Sequence, residues 1–212
     1  MAFRNLTQGG VKKAAHQLHE ILKREPNHLV ALKALGNIYF RAGKLDEAIE
    51  KYKSVLDLDP GFKDVLYDLG VAYYYQGDLL ESVQIFRTLL RIDPQYKAAL
   101  YRVGLACFHL GLLEESITNL SRCVALAPKN VMARYHLAVA LFTKGDWKQA
   151  ARGFKTITLK TPENSASHYY LGMSYKELGQ IERAAACFKK APELEPQNQR
   201  VQRELENLEN SK

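Results

Sequence analysis

Apolar residues recur along the chain at spacings of three and four, which is the period of an amphipathic helix. The segment LGNIYFRAGKLDEAI, residues 35–49, contains two such runs separated by Arg41, Ala42, Gly43 and Lys44. The pattern predicts two short helices joined by a tight turn. Such a pair is too short to bury both apolar faces by itself, so it must pack against the pairs before and after it.

Prolines and glycines extend this pattern over most of the 212 residues. Prolines stand at positions 26, 60, 94, 128, 162 and 196, and glycines stand at positions 9, 43, 77, 111, 145 and 179, so both series have an interval of 34 residues. The glycine permits the positive φ of a turn after a first helix, and the proline ends a second helix. A fixed period of this length predicts an all-α fold, an α-solenoid superhelix of antiparallel helix pairs.

Residues at matching positions of this period resemble tetratricopeptide repeats (TPR). The family pattern is an apolar residue followed by a small one, then an aromatic, a second small residue, a second aromatic and the proline. The segment that begins at residue 35 matches this pattern with Leu35, Gly36, Tyr39, Ala48, Tyr52 and Pro60. Small stand-alone proteins of this type resemble bacterial scaffold proteins, such as the assembly factors of pili or magnetosomes.

The resemblance divides the chain into a single array of repeats. The expected units are a partial repeat at 1–28, full repeats at 29–62, 63–96, 97–130, 131–164 and 165–198, and a capping helix at 199–212. Val201, Leu205 and Leu208 form one apolar stripe on the last helix, as a cap with a polar outer face requires. Arg134 and His168 replace the family's early tryptophan in the last two full repeats, which predicts looser packing there.

Composition narrows the class of protein and its expected location. Hydrophobic residues make up 47% of the chain and charged residues 25%. No apolar run approaches the ~20 residues of a membrane-spanning helix, and the first residues lack the apolar core of a signal peptide. We therefore expect a cytoplasmic protein, at most peripheral to a membrane assembly. The three cysteines are too few and too dispersed for a disulfide framework, which predicts reduced thiols.

Motifs that carry catalysis or bind cofactors are missing from the sequence. It contains no GxSxG, no HExxH, no phosphate-binding glycine loop and no EF-hand loop. His16 and His19 are three residues apart with His28 nearby, but two imidazoles without a third ligand rarely define a metal site. The sequence therefore predicts a protein that is not an enzyme and that needs neither a cofactor nor a metal.

The resemblance implies that the first helix of each repeat lines a concave groove, which binds a partner protein or peptide. Apolar residues replace the family's asparagine at the ninth position of four repeats, so we expect an apolar groove with a tyrosine edge. The expected groove residues are Lys33, Asn37, Tyr67, Val71, Tyr74, Tyr101, Leu105, Phe108, Tyr135, Val139, Phe142, Tyr169 and Met173. Packing between repeats is the alternative explanation for the large side chains in this set. The predicted function is a protein–protein interaction scaffold within a larger assembly.

Some relatives grip the C-terminal carboxylate of chaperones with a five-residue clamp. Lys33, Asn37 and Arg102 match that clamp in type and place, whereas Asp68 and Ala98 do not. An acidic side chain at this place would repel a carboxylate ligand, so the departure disfavours this mode of binding.

A basic stripe supports an alternative function, which is the binding of anionic surfaces such as nucleic acid or lipid headgroups. Residues 131–164 contain six Lys and Arg residues against two acidic ones. Lys148, Arg152 and Lys155 share one helix face, and the net charge of +7 suggests some affinity for acidic partners. An ordinary solvated face is the simpler explanation of the stripe, and nucleic acid is a disfavoured partner.

The N-terminal end of the predicted array leaves an apolar patch. A helix that contains Ala2, Phe3 and Leu6 starts too late to cover the next helix, whose uncovered residues are Leu18, Ile21 and Leu22. Exposed apolar patches usually mark an interface. Three explanations stay open: docking of a second copy of the chain, a chain cut from a longer protein, and harmless fraying. The first two are favoured.

Overall fold

Tight turns join the helices of the chain in series. The computed structural model describes residues 8–194, 203–204 and 206–207, and this part of the chain contains helices and no strand. The helices are α1 (Gln8–Arg24), α2 (Leu29–Arg41), α3 (Leu45–Leu58), α4 (Lys63–Gln76), α5 (Leu79–Ile92), α6 (Lys97–His109), α7 (Leu113–Leu126), α8 (Val131–Lys144), α9 (Trp147–Lys160), α10 (Ser165–Glu177) and α11 (Ile181–Leu194).

Glycines with a left-handed backbone separate the two helices of each pair. Their φ angles lie between 71° and 97°, at residues 43, 77, 111, 145 and 179. At Gly77, where φ is 97°, the backbone N–H donates to the carbonyl oxygen of Tyr73 at 3.1 Å and ends α4. A side chain at such a position would be strained, so these five glycines fix where each first helix stops. Gly9, the first glycine of the predicted series, instead lies within α1, so the turn expected there is not formed.

Helices that follow one another in the chain pack against one another. The chain divides into two compact units, residues 1–106 and 107–212. In the first unit, α1 to α5 pack in chain order, and in the second unit α7 to α11 do the same. Within each unit, these packed helices therefore bury their apolar faces with the help of their neighbours. The predicted all-α fold of packed helix pairs in a solenoid is confirmed.

Close contact between a glycine and an aromatic ring holds the two helices of three pairs together. A Cβ atom added at Gly70 would lie 2.7 Å from the ring of Phe86, and one added at Gly36 would lie 2.7 Å from Tyr52. The same contact at Gly172 would be 2.6 Å from Phe188. These rings are at most 1% exposed, so the missing Cβ is what lets each ring pack closely against the opposite helix.

The pair formed by α8 and α9 achieves its close contact in another way. Ala138 occupies the position that glycine holds in the other pairs, and the glycine is on the second helix at Gly153. A Cβ at Gly153 would lie 2.8 Å from the Cβ of Ala138. In this pair the glycine therefore lies on the second helix instead of the first, and Phe154 remains fully buried.

Arg134 and His168, the polar residues that replace the family's early tryptophan, each make a hydrogen bond to a main-chain carbonyl oxygen. The Arg134 guanidinium donates from Nη2 to the carbonyl oxygen of Pro128 at 3.1 Å. Nε2 of His168 lies 2.9 Å from the carbonyl oxygen of Pro162, and His168 is only 7% exposed. In both repeats the polar residue is bonded to the proline that ends the preceding repeat, which offsets the cost of burying it.

The two ends of the chain are described only in part. Ala2, Phe3 and Leu6, and the capping residues Val201, Leu205 and Leu208, lie outside the described residues. Residues 203–204 and 206–207 are helical, and Nζ of Lys176 donates to Oε2 of Glu204 at 2.6 Å. Within the part that the structure describes, no helix is long and apolar enough to cross a membrane.

Candidate functional site

A cleft in the first unit crosses the first helices of three successive helix pairs, α2, α4 and α6. Its volume is about 360 Å³. It is lined by Asn37, Phe40, Arg41, Tyr52, Tyr67, Asp68, Val71, Tyr75 and Arg102. We call this feature the Asn37 cleft. Amide, hydroxyl, cationic, anionic and aromatic groups all border it, so it can offer several kinds of contact to one ligand.

The Asn37 side chain is held in place by a buried tyrosine. Oη of Tyr52, which is 1% exposed, donates to Oδ1 of Asn37 at 2.7 Å. Burial raises the pKa of Tyr52, and the charge of Asp68 raises it further while that of Arg41 lowers it, so the hydroxyl keeps its proton at neutral pH. With its oxygen engaged, the amide NH2 group of Asn37 has no partner among the described residues and can donate to a ligand.

Asp68 brings a disfavoured negative charge to the cleft. Burial raises the pKa of its carboxyl, the positive charge of Lys33 opposes this shift, and the negative charge of Asp64 adds to it. Lys33 does not neutralise Asp68, because its Nζ donates to Oδ2 of Asp64 at 3.1 Å and lies 5.0 Å from the ring centroid of Phe62. Within the described residues, Asp68 makes no ion pair.

Aromatic rings and arginines form the remaining wall of the cleft. The guanidinium of Arg102 lies 5.8 Å from the ring centroid of Tyr74 and 5.9 Å from that of Tyr75. Tyr75 is 60% exposed and packs edge-on against Phe40, with 5.9 Å between the ring centroids. Arg41 is exposed and makes no ion pair in the described part of the chain. The wall can therefore contact apolar and acidic groups of a ligand.

Asp68→Asn is expected to raise the free energy of unfolding near neutral pH. A raised native pKa means that the native chain keeps this proton to a higher pH than the unfolded chain does. Wild-type stability should therefore fall as the pH rises from the ordinary carboxyl value of 3.8 through the native pKa, and the variant should lack this fall. Urea unfolding at several pH values measures it. A variant that is less stable than the wild type at neutral pH would show that the Asp68 carboxylate makes a net stabilising contact.

Three family models match the chain along most of its length. A model described as TPR repeat matches residues 36–77, and a model described as tetratricopeptide repeat matches residues 67–131 and 113–154. A second tetratricopeptide repeat model matches residues 165–198. The chain is a tetratricopeptide repeat protein. The resemblance drawn from the proline and glycine series is thereby confirmed.

Solved structures share the fold of this TPR protein. The structure of YrrB is 20% identical with a TM-score of 0.82, and the match covers 89% of this chain and 97% of that one. A structure of MamA is 26% identical with a TM-score of 0.74, covering 78% and 97% of the two chains. MamA from Desulfovibrio magneticus RS-1 is 24% identical with a TM-score of 0.75, covering 80% and 96%. No curated protein matches the TPR protein significantly.

The groove residues predicted for the first unit of the TPR protein have different surroundings. Asn37, Tyr67 and Val71 line the Asn37 cleft, but Val71 is only 8% exposed. Leu105 is equally buried. Tyr74, Tyr101 and the side chain of Lys33 are half-buried. Because little of Val71 and Leu105 reaches the surface, the exposed apolar surface of the cleft comes from its aromatic side chains. The role of Val71 and Leu105 as apolar anchors stays a prediction.

The predicted groove residues of the second unit pack in part against its core. Tyr135, Val139, Phe142, Tyr169 and Met173 are half-buried neighbours of the core cluster, and Phe108 is half-buried with its ring 5.8 Å from that of His109. Tyr170 stands at the centre of the aromatic set. Its ring is stacked on Phe154 at 5.3 Å and lies edge-on to Phe142 at 5.6 Å. Packing therefore uses part of the surface of these side chains, and partner binding by them stays a prediction.

Several residues of the cleft were missed by the sequence analysis. Arg41 and Tyr75 are each the thirteenth residue of a predicted repeat, on the first helix that the resemblance places along the groove. Asp68 and Arg102 are each the sixth residue, and both stand at places of the family's carboxylate clamp. The available signal was therefore the position within the repeat and not the apolar character of the side chain.

The basic stripe and the histidines are exposed or have structural roles. Lys148, Arg152 and Lys155 are all exposed on α9 and make no ion pair within the described residues. Nδ1 of His28 accepts from the N–H of Ala31 and caps α2, and Nε2 of His19 lies 3.1 Å from Oη of Tyr39. Among the described residues, no group of three or more potential ligands could hold a metal ion.

A second cavity lies beside the N-terminal residues predicted to self-associate. It measures about 430 Å³ between α1 and α2 and is lined in part by Leu18 and Ile21. Asn37 and Arg41 line both this cavity and the Asn37 cleft, so the two adjoin. Ile21 is 38% exposed, and Leu22 packs against the core of the first unit. Self-association through these residues stays a prediction.

Proposed function

We propose that this TPR protein is a protein-interaction scaffold that binds a peptide segment of a partner in the Asn37 cleft, within a larger assembly. The amide NH2 group of Asn37 carries this proposal. Tyr52 fixes its orientation from the buried side, and a main-chain carbonyl oxygen is the acceptor that every peptide offers. YrrB, whose fold this chain shares, is described as a TPR protein with an unusual peptide-binding site.

The other groups of the cleft define the segment that we expect. Phe40, Tyr67 and Tyr75 offer ring surface to one apolar or aromatic side chain of the ligand. Arg41 and Arg102 offer charge-assisted hydrogen bonds to an acidic side chain, and these two cations outweigh the single carboxylate of Asp68 in the same cleft. The segment that suits this set is therefore extended, with an acidic residue close to an apolar one. The cleft supplies binding groups, and we assign no catalysis, cofactor or metal to it.

Asn37→Asp is expected to weaken binding of such a segment about tenfold or more. The carboxylate can still accept from Oη of Tyr52, so the buried hydroxyl keeps its partner, but the NH2 donor is lost and a peptide carbonyl faces negative charge. Peptides selected from a displayed random library against the wild-type chain serve as the probes, and fluorescence anisotropy measures their affinity.

Gln84→Glu is the matched control for this change. Gln84 is exposed on α5 and lies outside the cleft, and the substitution adds the same charge. We expect the control to change the affinity less than about twofold, because an exposed charge at a distance is screened. Selected peptides that bind the Asn37 variant as tightly as the wild type would place their binding site elsewhere and overturn the proposal.

A further inference from the structure

A cavity of about 250 Å³ lies between α8 and α9 in the second unit, away from the residues of the Asn37 cleft. Leu137 and Leu141 supply apolar surface to it from α8. Arg134 and Arg152 are also among the lining residues, one from each helix. The cavity thus combines an apolar lining with two guanidinium groups. We call it the Gly153 cavity.

The cavity depends on a residue that has no side chain. Gly153 lines it, and the residues at matching positions of the other full repeats all carry side chains, namely Lys51, Ile85, Asn119 and Cys187. A Cβ at Gly153 would lie 2.8 Å from the Cβ of Ala138, so the two helices approach closely at this point. Because Gly153 has no side chain, the space next to this contact is not filled and forms part of the cavity.

Positive charge continues along the face of α9 that contributes Arg152 to the cavity. Arg152 is exposed, and Lys148 and Lys155 lie about one turn before and after it on the same face of α9. None of the three makes an ion pair in the part of the chain that the structure describes. The nearest acidic residue in sequence, Asp146, accepts from the N–H of Gln149 and caps the start of α9. The local charge is therefore left for a ligand to complement.

We propose that the Gly153 cavity binds an acidic peptide segment of another protein, which inserts one aliphatic side chain beside Leu137 and Leu141. Charge complementarity selects the acidic residues, which Arg134 on α8 and Arg152 on α9 can bind through their guanidinium groups. A flat anionic membrane could contact the exposed lysines, but its headgroups would not fill a concave apolar cavity. An ordinary solvated face would likewise need no such cavity.

Two labelled peptides test this assignment on the full-length chain. The probe is a fluorescein-labelled nonapeptide of alternating glutamate and aspartate with a central leucine, and its control has serine in place of the leucine. The leucine peptide should bind at least about tenfold more tightly than the serine peptide, a difference of about 1.4 kcal/mol. Equal affinities would mean that charge alone attracts both peptides and would overturn the proposal, as would failure of the leucine peptide to bind.

Variants of the chain locate the binding site. Arg152→Glu should lower the affinity for the leucine peptide at least about tenfold, and Lys189→Glu, the same change at an exposed residue of α11 outside the cavity, should lower it less than about twofold. Thr156→Leu replaces a lining residue with a larger side chain that occupies part of the cavity. It should therefore weaken binding of the leucine peptide and leave binding of the serine peptide unchanged. Circular dichroism checks that each variant is folded.

Anionic vesicles distinguish the other class of ligand. Vesicles of phosphatidylcholine with phosphatidylserine should bind the wild type no more tightly than they bind the Arg152→Glu variant. Vesicle binding that depends on Arg152, together with no preference for the leucine peptide, would assign the stripe to a lipid surface and overturn the peptide proposal.

Discussion

Phe86→Ala is expected to lower the free energy of unfolding of the first unit by about 3–5 kcal/mol. The ring is fully buried, lies against Gly70 and packs 5.8 Å from the ring of Tyr67, measured between centroids. Its removal leaves a cavity between α4 and α5 that the neighbouring helices can fill only in part. Urea unfolding followed by circular dichroism measures the change.

Ile92→Ala is the comparison for this loss. Ile92 stands on the same helix as Phe86 and is 47% exposed, so its truncation should cost less than about 1 kcal/mol. Equal effects of the two substitutions would contradict the packing described for α4 and α5. A loss below about 1 kcal/mol for Phe86→Ala would contradict it as well.

Gly70→Ala is expected to destabilise the first unit by about 1–3 kcal/mol, although alanine has the higher helix propensity. The added Cβ would lie 2.7 Å from the Phe86 ring, so either the ring or a helix must shift. Gly61→Ala is the control, because a Cβ there would meet only Oδ1 of Asp59, at 3.5 Å, and we expect it to be neutral within about 0.5 kcal/mol.

A second substitution tests whether the ring is the cause. Gly104 and Leu120 stand at the matching positions of the next repeat, so leucine is compatible with this place in the fold. In the Phe86→Leu background, Gly70→Ala should therefore cost clearly less than it does in the wild type, and the double-mutant cycle should be non-additive. Strict additivity would show that the penalty does not come from contact with Phe86.

The sequence predicted the helices well because their ends depend on local chemistry. A glycine that must adopt positive φ stops the first helix of a pair wherever it stands, as Gly77 and Gly145 do. The fixed interval then repeats that local signal along the chain. The interval could not predict that α8 carries Ala138 where the other pairs have glycine and that α9 carries Gly153. A small residue is needed where the two helices touch, and either helix can supply it.

The candidate site was predicted less completely, for a physical reason. An apolar residue on a first helix can face a neighbouring helix or a ligand, and the sequence does not distinguish the two. Val71 and Leu105 face inward and are 8% exposed, whereas Tyr75 is 60% exposed. The polar groups of the cleft were recognisable only by their positions in the repeat, since Asp68 and Arg102 gain their role from the helices that bring them together.

Backbone amide NMR of the 15N-labelled chain tests the central claim most directly, which is that the Asn37 cleft binds a peptide. A selected peptide is titrated into the full-length wild type, and the changes in chemical shift are assigned to residues. We expect the largest changes on α2, α4 and α6 around Asn37, Asp68 and Arg102, together with a shift of the Asn37 side-chain amide. Saturable changes that leave these residues unaffected and fall on α5 or in the second unit would contradict the claim.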